Sequence, residues 1–205
     1  MNPACSTLTT LQTPSGERAI RTLSLAFADD PTSTYFLPAE PRRTAGLPSV
    51  FRTAVRHGLD GGTVDLVEDG KGVAVWLRSV SARMTVARMI RTGVPATAAA
   101  LGWAPSRRIL QFLDWIEKRR EEALPCPHWY LLNLAVQPDR QGRGFGSALL
   151  RHGTDRAGQE GLPCFLETAS ARNVGLYRRH GFQPVYEAAP PGGGPLMWGF
   201  VRPAG

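Results

Sequence analysis

Leu131–Leu150, with the sequence LLNLAVQPDRQGRGFGSALL, is the stretch that decides the fold of this chain. An apolar run from Leu131 to Val136 stops at Gln137-Pro138-Asp139, and a glycine-rich segment follows. Ser147 to Leu150 then open a helical pattern. A strand, a glycine-rich turn and a helix N-terminus together present backbone N–H groups to an anion. The sequence therefore predicts an anion-binding loop between a strand and a helix.

Three nucleotide-binding motifs compete for this loop. A Walker P-loop requires Lys and then Ser or Thr after its second glycine, whereas Phe145 follows Gly144 here. A dinucleotide fingerprint requires a third glycine where Ser147 stands, and it belongs after the first strand of a doubly wound unit. The pattern Gln/Arg-x-x-Gly-x-Gly/Ala is matched in full by Gln141, Gly144 and Gly146. The Walker P-loop is therefore rejected, the dinucleotide fingerprint is disfavoured, and the third pattern is matched.

The third pattern resembles the pyrophosphate loop of the GNAT superfamily of N-acetyltransferases. Asn173–Phe182 resembles the second signature of that superfamily, Asn-x-x-x-Tyr-x-x-x-Gly-Phe, and it follows the loop in the expected order. The resemblance is clear over about residues 60–80 and 125–202. It implies an α/β fold with a mixed, mostly antiparallel central sheet, splayed strands and flanking helices.

A closer likeness links parts of the chain to the puromycin N-acetyltransferases of actinomycetes. It is carried by Arg18–Pro31, Val73–Leu77 and Phe165–Phe182. Residues 35–60 and 81–125 do not match those enzymes visibly. Because these unmatched segments would face the acceptor, drug specificity does not follow from the likeness.

The resemblance implies that acetyl-CoA is the cosubstrate, with no metal. Glycine in the loop lets backbone amides approach the pyrophosphate, and Arg140 and Arg143 add positive charge nearby. The strand before the loop is expected to carry a bulge and to offer its backbone to the pantetheine arm. The implied cofactor-binding residues are Leu134, Ala135, Val136, Gln141, Gly142, Arg143, Gly144, Phe145, Gly146, Ser147, Asn173 and Tyr177.

Transfer of an acetyl group to an amine requires a base for the amine and an acid for the departing thiolate. The resemblance assigns the acid to Tyr177, for which a half-buried structural tyrosine is the alternative. Glu167 lies in an apolar strand that would raise its pKa, so it is a candidate base or an anchor for the ammonium group. His128 is a weaker candidate base. The alternative for His128 is a residue at the strand edge.

The acceptor site is predicted to involve Asp30, Tyr35, Tyr130 and Glu167. For Asp30 and its neighbour Asp29, solvated turn acids are the alternative interpretation. His180 precedes Gly181 at a helix C-terminus, where a protonated imidazole would interact favourably with the helix dipole.

Composition narrows the class of protein. The 205 residues include 24 Lys and Arg and 17 Asp and Glu, a formal charge of +7. The basic cluster Lys118-Arg119-Arg120 is followed at once by two glutamates and is interpreted as a solvated helix face, so no nucleic-acid partner is expected. No apolar run reaches the length of a membrane span, which predicts a cytoplasmic protein without membrane contact. Cys164 lies in an apolar run and is expected to be a buried, inert thiol.

The secondary-structure pattern predicts one domain over residues 1–205 with a helical insertion at about 81–124. Strands are expected within 4–12, 63–68, 72–77, 128–136, 163–168, 182–186 and 196–201. Helices are expected within 15–29, 48–58, 82–92, 95–101, 106–122, 142–159 and 170–180. In the last helix of the insertion, Ile109, Phe112, Leu113 and Ile116 predict a buried stripe.

The sequence thus predicts an acetyl-CoA-dependent N-acetyltransferase that acts on the primary amine of a small molecule, such as an amine antibiotic or a metabolite. Two alternatives remain: a protein or peptide N-acetyltransferase, and a noncatalytic acyl-CoA-binding sensor. Tyr177 and Glu167 argue against the sensor. The insertion, which would cover the site, argues against a peptide groove. A monomer and a homodimer are both compatible with the sequence.

Overall fold

A seven-stranded sheet forms the centre of the computed structural model, which describes residues 8–13 and 16–205. The strand order is β1-β2-β3-β4-β5-β7-β6, and all neighbours are antiparallel except β4 and β5. The mixed, mostly antiparallel sheet predicted from the sequence is confirmed. The strands are β1 (Leu8–Thr10), β2 (Gly62–Val67), β3 (Gly72–Arg78), β4 (Trp129–Val136), β5 (Cys164–Thr168), β6 (Gln183–Ala188) and β7 (Met197–Arg202).

Helices cover both faces of the sheet. The helices are α1 (Glu17–Ala26), α2 (Pro31–Phe36), α3 (Glu40–Gly61), α4 (Ser79–Ala82), α5 (Val86–Thr92), α6 (Val94–Leu101), α7 (Trp103–Ala123), α8 (Phe145–Gln159) and α9 (Ala171–Arg179). Because side chains alternate along a strand, Val73 and Val75 of β3 face α1 and α3, whereas Ala74 and Trp76 face α8. Within the described ranges, none of these helices is both long and apolar enough to cross a bilayer.

The first helices differ from the prediction at their ends. Ser15, the predicted cap of α1, and residues 4–7 of the first predicted strand lie outside the described residues. The helix predicted to start at Pro48 starts at Glu40, so Pro48 lies inside α3. Tertiary contacts explain the extension, because buried Arg43 donates to Ala28 O at 2.6 Å and to Leu37 O at 3.1 Å.

The insertion is helical, as predicted. The helix expected over 82–92 begins only at Val86, because Arg83 is extended and Thr85 caps α5 by accepting from the Arg88 N–H at 3.3 Å. Ala82 instead ends the short helix α4. The predicted stripe on α7 is buried at Phe112 and Ile116. Leu113, however, is 38% exposed.

The sheet splays at its only parallel pair within the described part of the chain. Pairing of β4 with β5 ends at Leu131 and Leu166. On its other edge, β4 pairs Leu131 with Trp76 and Asn133 with Val75, which leaves Leu132 as the extra residue of a bulge. Both features expected from the resemblance are present, and they open a cleft between β4 and β5.

Candidate active site

The glycine-rich loop joins β4 to α8 through a 3-10 turn, Pro138–Arg140. The Gln141 Nε2 donates to Val136 O at 3.2 Å, which ties the loop to the end of β4. Gly142 and Gly144 have φ of +76° and +87°, in the left-handed region that favours glycine. A Cβ at either glycine would meet no described atom within 4 Å, so the backbone here borders open space. This geometry fits a phosphate group held by backbone amides at the start of α8.

A cavity of about 420 Å³ lies along this loop, α9 and the splayed end of β4. Arg143, also predicted, is exposed and is not among the lining residues. Arg140, Arg172 and Arg179 line the cavity and supply positive charge. The predicted residues that line it are Leu134, Ala135, Val136, Gln141, Gly142, Gly144, Phe145, Gly146, Ser147, Asn173 and Tyr177.

Sequence reasoning missed Arg172 and Arg179, although their spacing held a signal. Arg172 and Arg179 are seven residues apart in the sequence, so they lie on one side of α9 two turns apart. Because Arg172 and Arg179 lie beside the loop, they can supply the positive charge that was expected from Arg143.

His180 connects the end of α9 to the start of α8. Its Nε2 lies 3.0 Å from the Ser147 Oγ. Partial burial and the charges of Arg151, Arg179 and Arg202 lower the pKa of His180. Burial first, and then the three guanidinium groups, thus oppose the protonated imidazole expected at the helix C-terminus. The contact instead fixes α9 against the glycine-rich loop.

A second cavity, of about 320 Å³, lies between the splayed strands and the insertion. The two cavities share lining residues, which are Phe27, Asp30, Leu134, Asn173 and Tyr177. They therefore meet beside Tyr177. We call the first the donor cavity and the second the acceptor cavity.

Glu167 lies on β5 beyond its last pair with β4, and it lines the acceptor cavity. Its Oε1 accepts from the Tyr186 hydroxyl at 3.3 Å, whereas its buried Oε2 has no hydrogen-bond partner among the described residues. Burial raises the pKa of Glu167 to about 7, against the opposing effects of Arg120 and the Tyr130 and Tyr186 hydroxyls. Such a carboxyl group exchanges protons near neutral pH, as a general base must.

Arg120 is the residue most misjudged from the sequence. It is only 5% exposed, and its guanidinium lies 4.6 Å from the centre of the Tyr130 ring. It lines the acceptor cavity and lowers the pKa of Glu167 through its charge. The expected solvated face holds for Lys118 and Arg119 but not for Arg120, because helix α7 turns Arg120 to the side of Phe112 and Ile116.

Of the other residues predicted to contact the acceptor, two line the acceptor cavity and one does not. Tyr130 is buried and lines the acceptor cavity. Asp30 borders both cavities, and its Oδ1 also caps α2 by accepting from the Thr32 N–H at 2.9 Å. Tyr35 is not a lining residue; the Arg108 guanidinium lies 5.2 Å from its ring centre, and the neighbouring Phe36 forms the wall.

His128 and Cys164 lie away from the cleft. His128 is buried, its Nδ1 lies 2.7 Å from Cys126 O, and it is not among the lining residues of either cavity. Cys164 is buried, as expected, and burial raises the pKa of its thiol to about 11. No three His, Cys, Asp or Glu side chains in 8–13 and 16–205 form a group able to hold a metal ion.

Tyr177 occupies the junction of the two cavities. It is 5% exposed, and its ring contacts Phe182 and Phe200 at centroid distances of 6.2 and 5.9 Å. Burial and the negative charge of Asp30 raise the pKa of Tyr177 above its ordinary value. The phenol therefore stays protonated at neutral pH, which an acid requires.

Comparison with known proteins agrees with this geometry. Residues 107–184 match the family model described as an acetyltransferase (GNAT) domain. This segment of the chain has the sequence features of a GNAT acetyltransferase domain. The match includes the glycine-rich loop, Glu167 and the Asn173–Tyr177 pair. Most residues that line the donor cavity therefore lie within it, whereas much of the acceptor cavity is built by residues outside it.

Relatives of this acetyltransferase include an uncharacterized N-acetyltransferase of Schizosaccharomyces pombe, 26% identical over 83% of this chain and 71% of the relative. A Corynebacterium glutamicum structure, described as histone acetyltransferase HPA2 and related acetyltransferase, is 26% identical over 98% of this chain and 97% of that chain, with a TM-score of 0.71. A mosquito arylalkylamine N-acetyltransferase-like 5b shares the fold at 16% identity, covering 95% and 98%, with a TM-score of 0.61. This chain is an acetyl-transferring enzyme.

Proposed function

We propose that this acetyltransferase moves an acetyl group from acetyl-CoA to the primary amine of a small molecule. The donor cavity would hold the CoA pyrophosphate on the amides after Gly144, with Arg172 and Arg179 nearby. The acceptor cavity would bring the amine to Glu167. The observation that carries the proposal is the buried, unpartnered Glu167 Oε2 in a cavity that meets the donor cavity at Tyr177.

The polar atoms left without partners in the acceptor cavity are all oxygens. Within the described residues they are Asn133 Oδ1 and Glu167 Oε2, and both residues line this cavity. Glu117 Oε1 also accepts no hydrogen bond, but it lies 3.7 Å from the Arg83 guanidinium in an ion pair. A buried acceptor atom without a donor costs free energy, roughly 1–3 kcal/mol, until a ligand supplies one. A primary ammonium group carries three N–H donors and no acceptor. These oxygens therefore support an amine as the acceptor.

The chemistry divides between Glu167 and Tyr177. Acetyl-CoA supplies the acetyl group as an activated thioester. Glu167 accepts a proton from the ammonium group, and the neutral nitrogen then forms its bond to the acetyl carbon while the carbon–sulfur bond breaks. Tyr177 donates its phenolic proton to the sulfur, and the surplus proton of the new amide nitrogen returns the phenol to its protonated state through the cavity. A backbone amide near Leu134, on the free edge of β4, would polarise the thioester carbonyl.

The insertion limits the size and shape of the acceptor. Its helices wall the acceptor cavity, which favours a compact acceptor over a peptide lying in an open groove. We propose amine antibiotics as one class of acceptor, with a role in antibiotic resistance, because of the resemblance of Arg18–Pro31 and Phe165–Phe182 to puromycin N-acetyltransferases. We further propose a cytoplasmic enzyme that acts as a monomer or a homodimer.

Release of CoA thiol from acetyl-CoA in the presence of amine antibiotics, polyamines, amino acids and peptides tests the proposal. We expect amine-dependent release with at least one small-molecule class. Tight acetyl-CoA binding without release for any amine would favour the noncatalytic sensor. Release with peptides alone would favour a peptide N-acetyltransferase.

Tyr177→Phe is expected to lower kcat by roughly 10- to 100-fold, because the thiolate then leaves without a positioned acid. Stopped-flow thiol release and calorimetric binding of acetyl-CoA measure the two effects separately. The Kd for acetyl-CoA should change by less than about threefold, because the ring and its contacts with Phe182 and Phe200 remain. Tyr35→Phe, outside the cavity wall, is the matched control. An unchanged kcat in Tyr177→Phe would remove Tyr177 as the acid.

Arg120→Met is expected to shift the acidic limb of the kcat/KM–pH profile upward by roughly one unit or more. The Arg120 charge lowers the pKa of Glu167, and methionine keeps the apolar part of the side chain without the charge. A limb that stays near pH 7 would show that Arg120 does not set the ionisation of the base. Lys118→Met, on the exposed side of α7, should leave the profile where it is in the wild type.

A further inference from the structure

The acceptor cavity is lined mainly by apolar side chains, most of them from helices that the sequence likeness does not cover. Phe36 and Phe112 meet edge to face, with ring centres 5.1 Å apart and an interplanar angle of 81°. A volume of about 320 Å³ lies at the lower end of the range for drug-sized ligands, roughly 300–1,000 Å³. The apolar wall includes Phe36, Phe51, Met89, Ile109, Phe112 and Leu113.

Four polar groups on the part of this wall formed by α3, α6 and α7 bond to the protein itself. The Thr53 and Thr97 hydroxyls lie 2.8 Å apart. The His57 Nε2 lies 2.8 Å from Ser81 O, and the Ser106 hydroxyl donates to Gly102 O at 2.8 Å. Because these groups already have hydrogen-bond partners, the part of the acceptor that lies against them needs no polar substituents.

The charged groups in the wall leave room for one ammonium group. Besides Glu167, two carboxylates line this cavity, and both have partners in the protein. Asp30 accepts from the Thr32 N–H at 2.9 Å, and Glu117 lies 3.7 Å from the Arg83 guanidinium. Arg120 is buried in the same cavity beside Tyr130, so a second cation on the acceptor would be brought toward a guanidinium that water does not screen. Glu167 is then the carboxylate that receives the amine.

We propose that the acceptor is a primary monoamine whose amino group is carried by a bulky, uncharged apolar body, such as an arylalkylamine or a long alkylamine. The amino group binds at Glu167, and the body occupies the chamber between α2, α3 and the insertion. This inference rests on the proposed function, since it names the acceptor of the same site. Diamines, amino acids and peptides are disfavoured by Arg120 and by the apolar wall.

The test compares kcat/KM for ethylamine, hexylamine, 2-phenylethylamine, agmatine and a short peptide, measured by CoA-thiol release at saturating acetyl-CoA. Each buried methylene is worth roughly fourfold, so hexylamine should exceed ethylamine by at least about 30-fold. 2-Phenylethylamine should exceed agmatine by roughly 100-fold, because agmatine places a second cation in the chamber.

Two cavity variants sharpen the test. Leu113→Gln, at a half-exposed position that tolerates a polar side chain, should lower kcat/KM for hexylamine and 2-phenylethylamine by roughly 10-fold. Ala98→Phe fills the chamber and should disfavour 2-phenylethylamine while sparing ethylamine. Trp103→Gln is the control, because Trp103 is 81% exposed on the same insertion and is not a lining residue. Neither cavity variant should change the Kd for acetyl-CoA.

The outcomes separate this inference from the function beneath it. If agmatine or the peptide is the best acceptor, the apolar-monoamine inference is overturned while amine acetylation stands. If ethylamine equals hexylamine, or Leu113→Gln changes no acceptor's rate, the chamber does not bind the acceptor and the inference also fails. If no amine releases thiol although acetyl-CoA binds, the proposed function fails, and this inference with it.

Discussion

Replacing Glu167 by Gln is expected to lower kcat/KM for amine acetylation by at least about 100-fold. Glutamine keeps the size of the side chain and accepts a hydrogen bond, but it cannot take a proton. In the wild type, kcat/KM should rise with pH and level off as the carboxyl group ionises at about pH 7. The residual activity of Glu167→Gln should lack this limb. Rates measured between pH 5.5 and 9 with one amine supply both results.

Stability provides a second reading that does not depend on turnover. Because the folded-state pKa of Glu167 is raised from 4.5 to about 7, its contribution to stability is present below about pH 4.5 and is lost as pH rises to about 7. Glutamine carries no such penalty. Glu167→Gln should therefore raise the thermal midpoint by a few degrees at pH 8.5 and leave it unchanged at pH 4.

Glu187→Gln is the matched control, because Glu187 lies exposed on β6, one strand beyond β7, and borders neither cavity. It should alter neither the pH profile nor the thermal midpoint. Wild-type activity in Glu167→Gln would show that another residue acts as the general base. A raised midpoint together with wild-type activity would leave Glu167 as an anchor for the ammonium group.

The donor side of the site was predictable from the sequence because its geometry is local. Gln141, Gly144 and Gly146 lie within six consecutive residues, and the backbone they share both turns the chain and starts α8. The bond from Gln141 to Val136 O spans only five positions. A pattern of residue types can predict short-range geometry of this kind, because the geometry depends little on the rest of the chain.

The acceptor side was less predictable, because it forms where distant elements meet. Tyr35 and Phe36 are adjacent and both aromatic, and only the packing of α2 against α7 decides that Phe36 lines the cavity. Asn133 shows the same limit: the bulge at Leu132 shifts the register of β4, and nothing in the run of apolar residues marks where that shift occurs.

Arg120 is an intermediate case. Its burial was predictable from helical periodicity, but the charged residues around it hid that pattern. It stands four residues after Ile116 and eight after Phe112, so helical periodicity places it on the buried side of α7. Its neighbours Lys118 and Arg119 make the segment look like a solvated basic cluster. Following the apolar stripe one turn further would have placed a buried cation in the acceptor cavity.

Gly144→Glu is expected to abolish acetyl-CoA binding, with the Kd raised by at least about 100-fold. The new carboxylate would stand at the N-terminus of α8, where the backbone amides would otherwise face the pyrophosphate. Two like charges about 4 Å apart near a protein surface repel by about 4 kcal/mol. Calorimetric titration with acetyl-CoA measures the loss, and circular dichroism checks the fold. The site is open, since a Cβ at Gly144 meets no described atom within 4 Å.

Gly161→Glu isolates the effect of position from that of backbone strain. Gly161 follows the other end of α8, has φ of +63°, and likewise has open space around its added Cβ within the described structure. It borders neither cavity, so this variant carries the same charge and a similar left-handed strain without touching the loop. Its Kd for acetyl-CoA should match that of the wild type. Loss of affinity in both variants would trace the effect to strain in α8.

Gly144→Asn then separates the charge from the side chain. Asparagine adopts the left-handed conformation more readily than other residues with a Cβ, so it keeps the loop path at small cost. Its side chain fills part of the space beside the loop without adding a negative charge. The affinity of Gly144→Asn for acetyl-CoA should therefore fall between that of the wild type and that of Gly144→Glu. A wild-type Kd in both Gly144 variants would mean that the phosphates bind elsewhere. Arg140, Arg172 and Arg179 would then be the residues to replace, because they are the arginines that line the donor cavity.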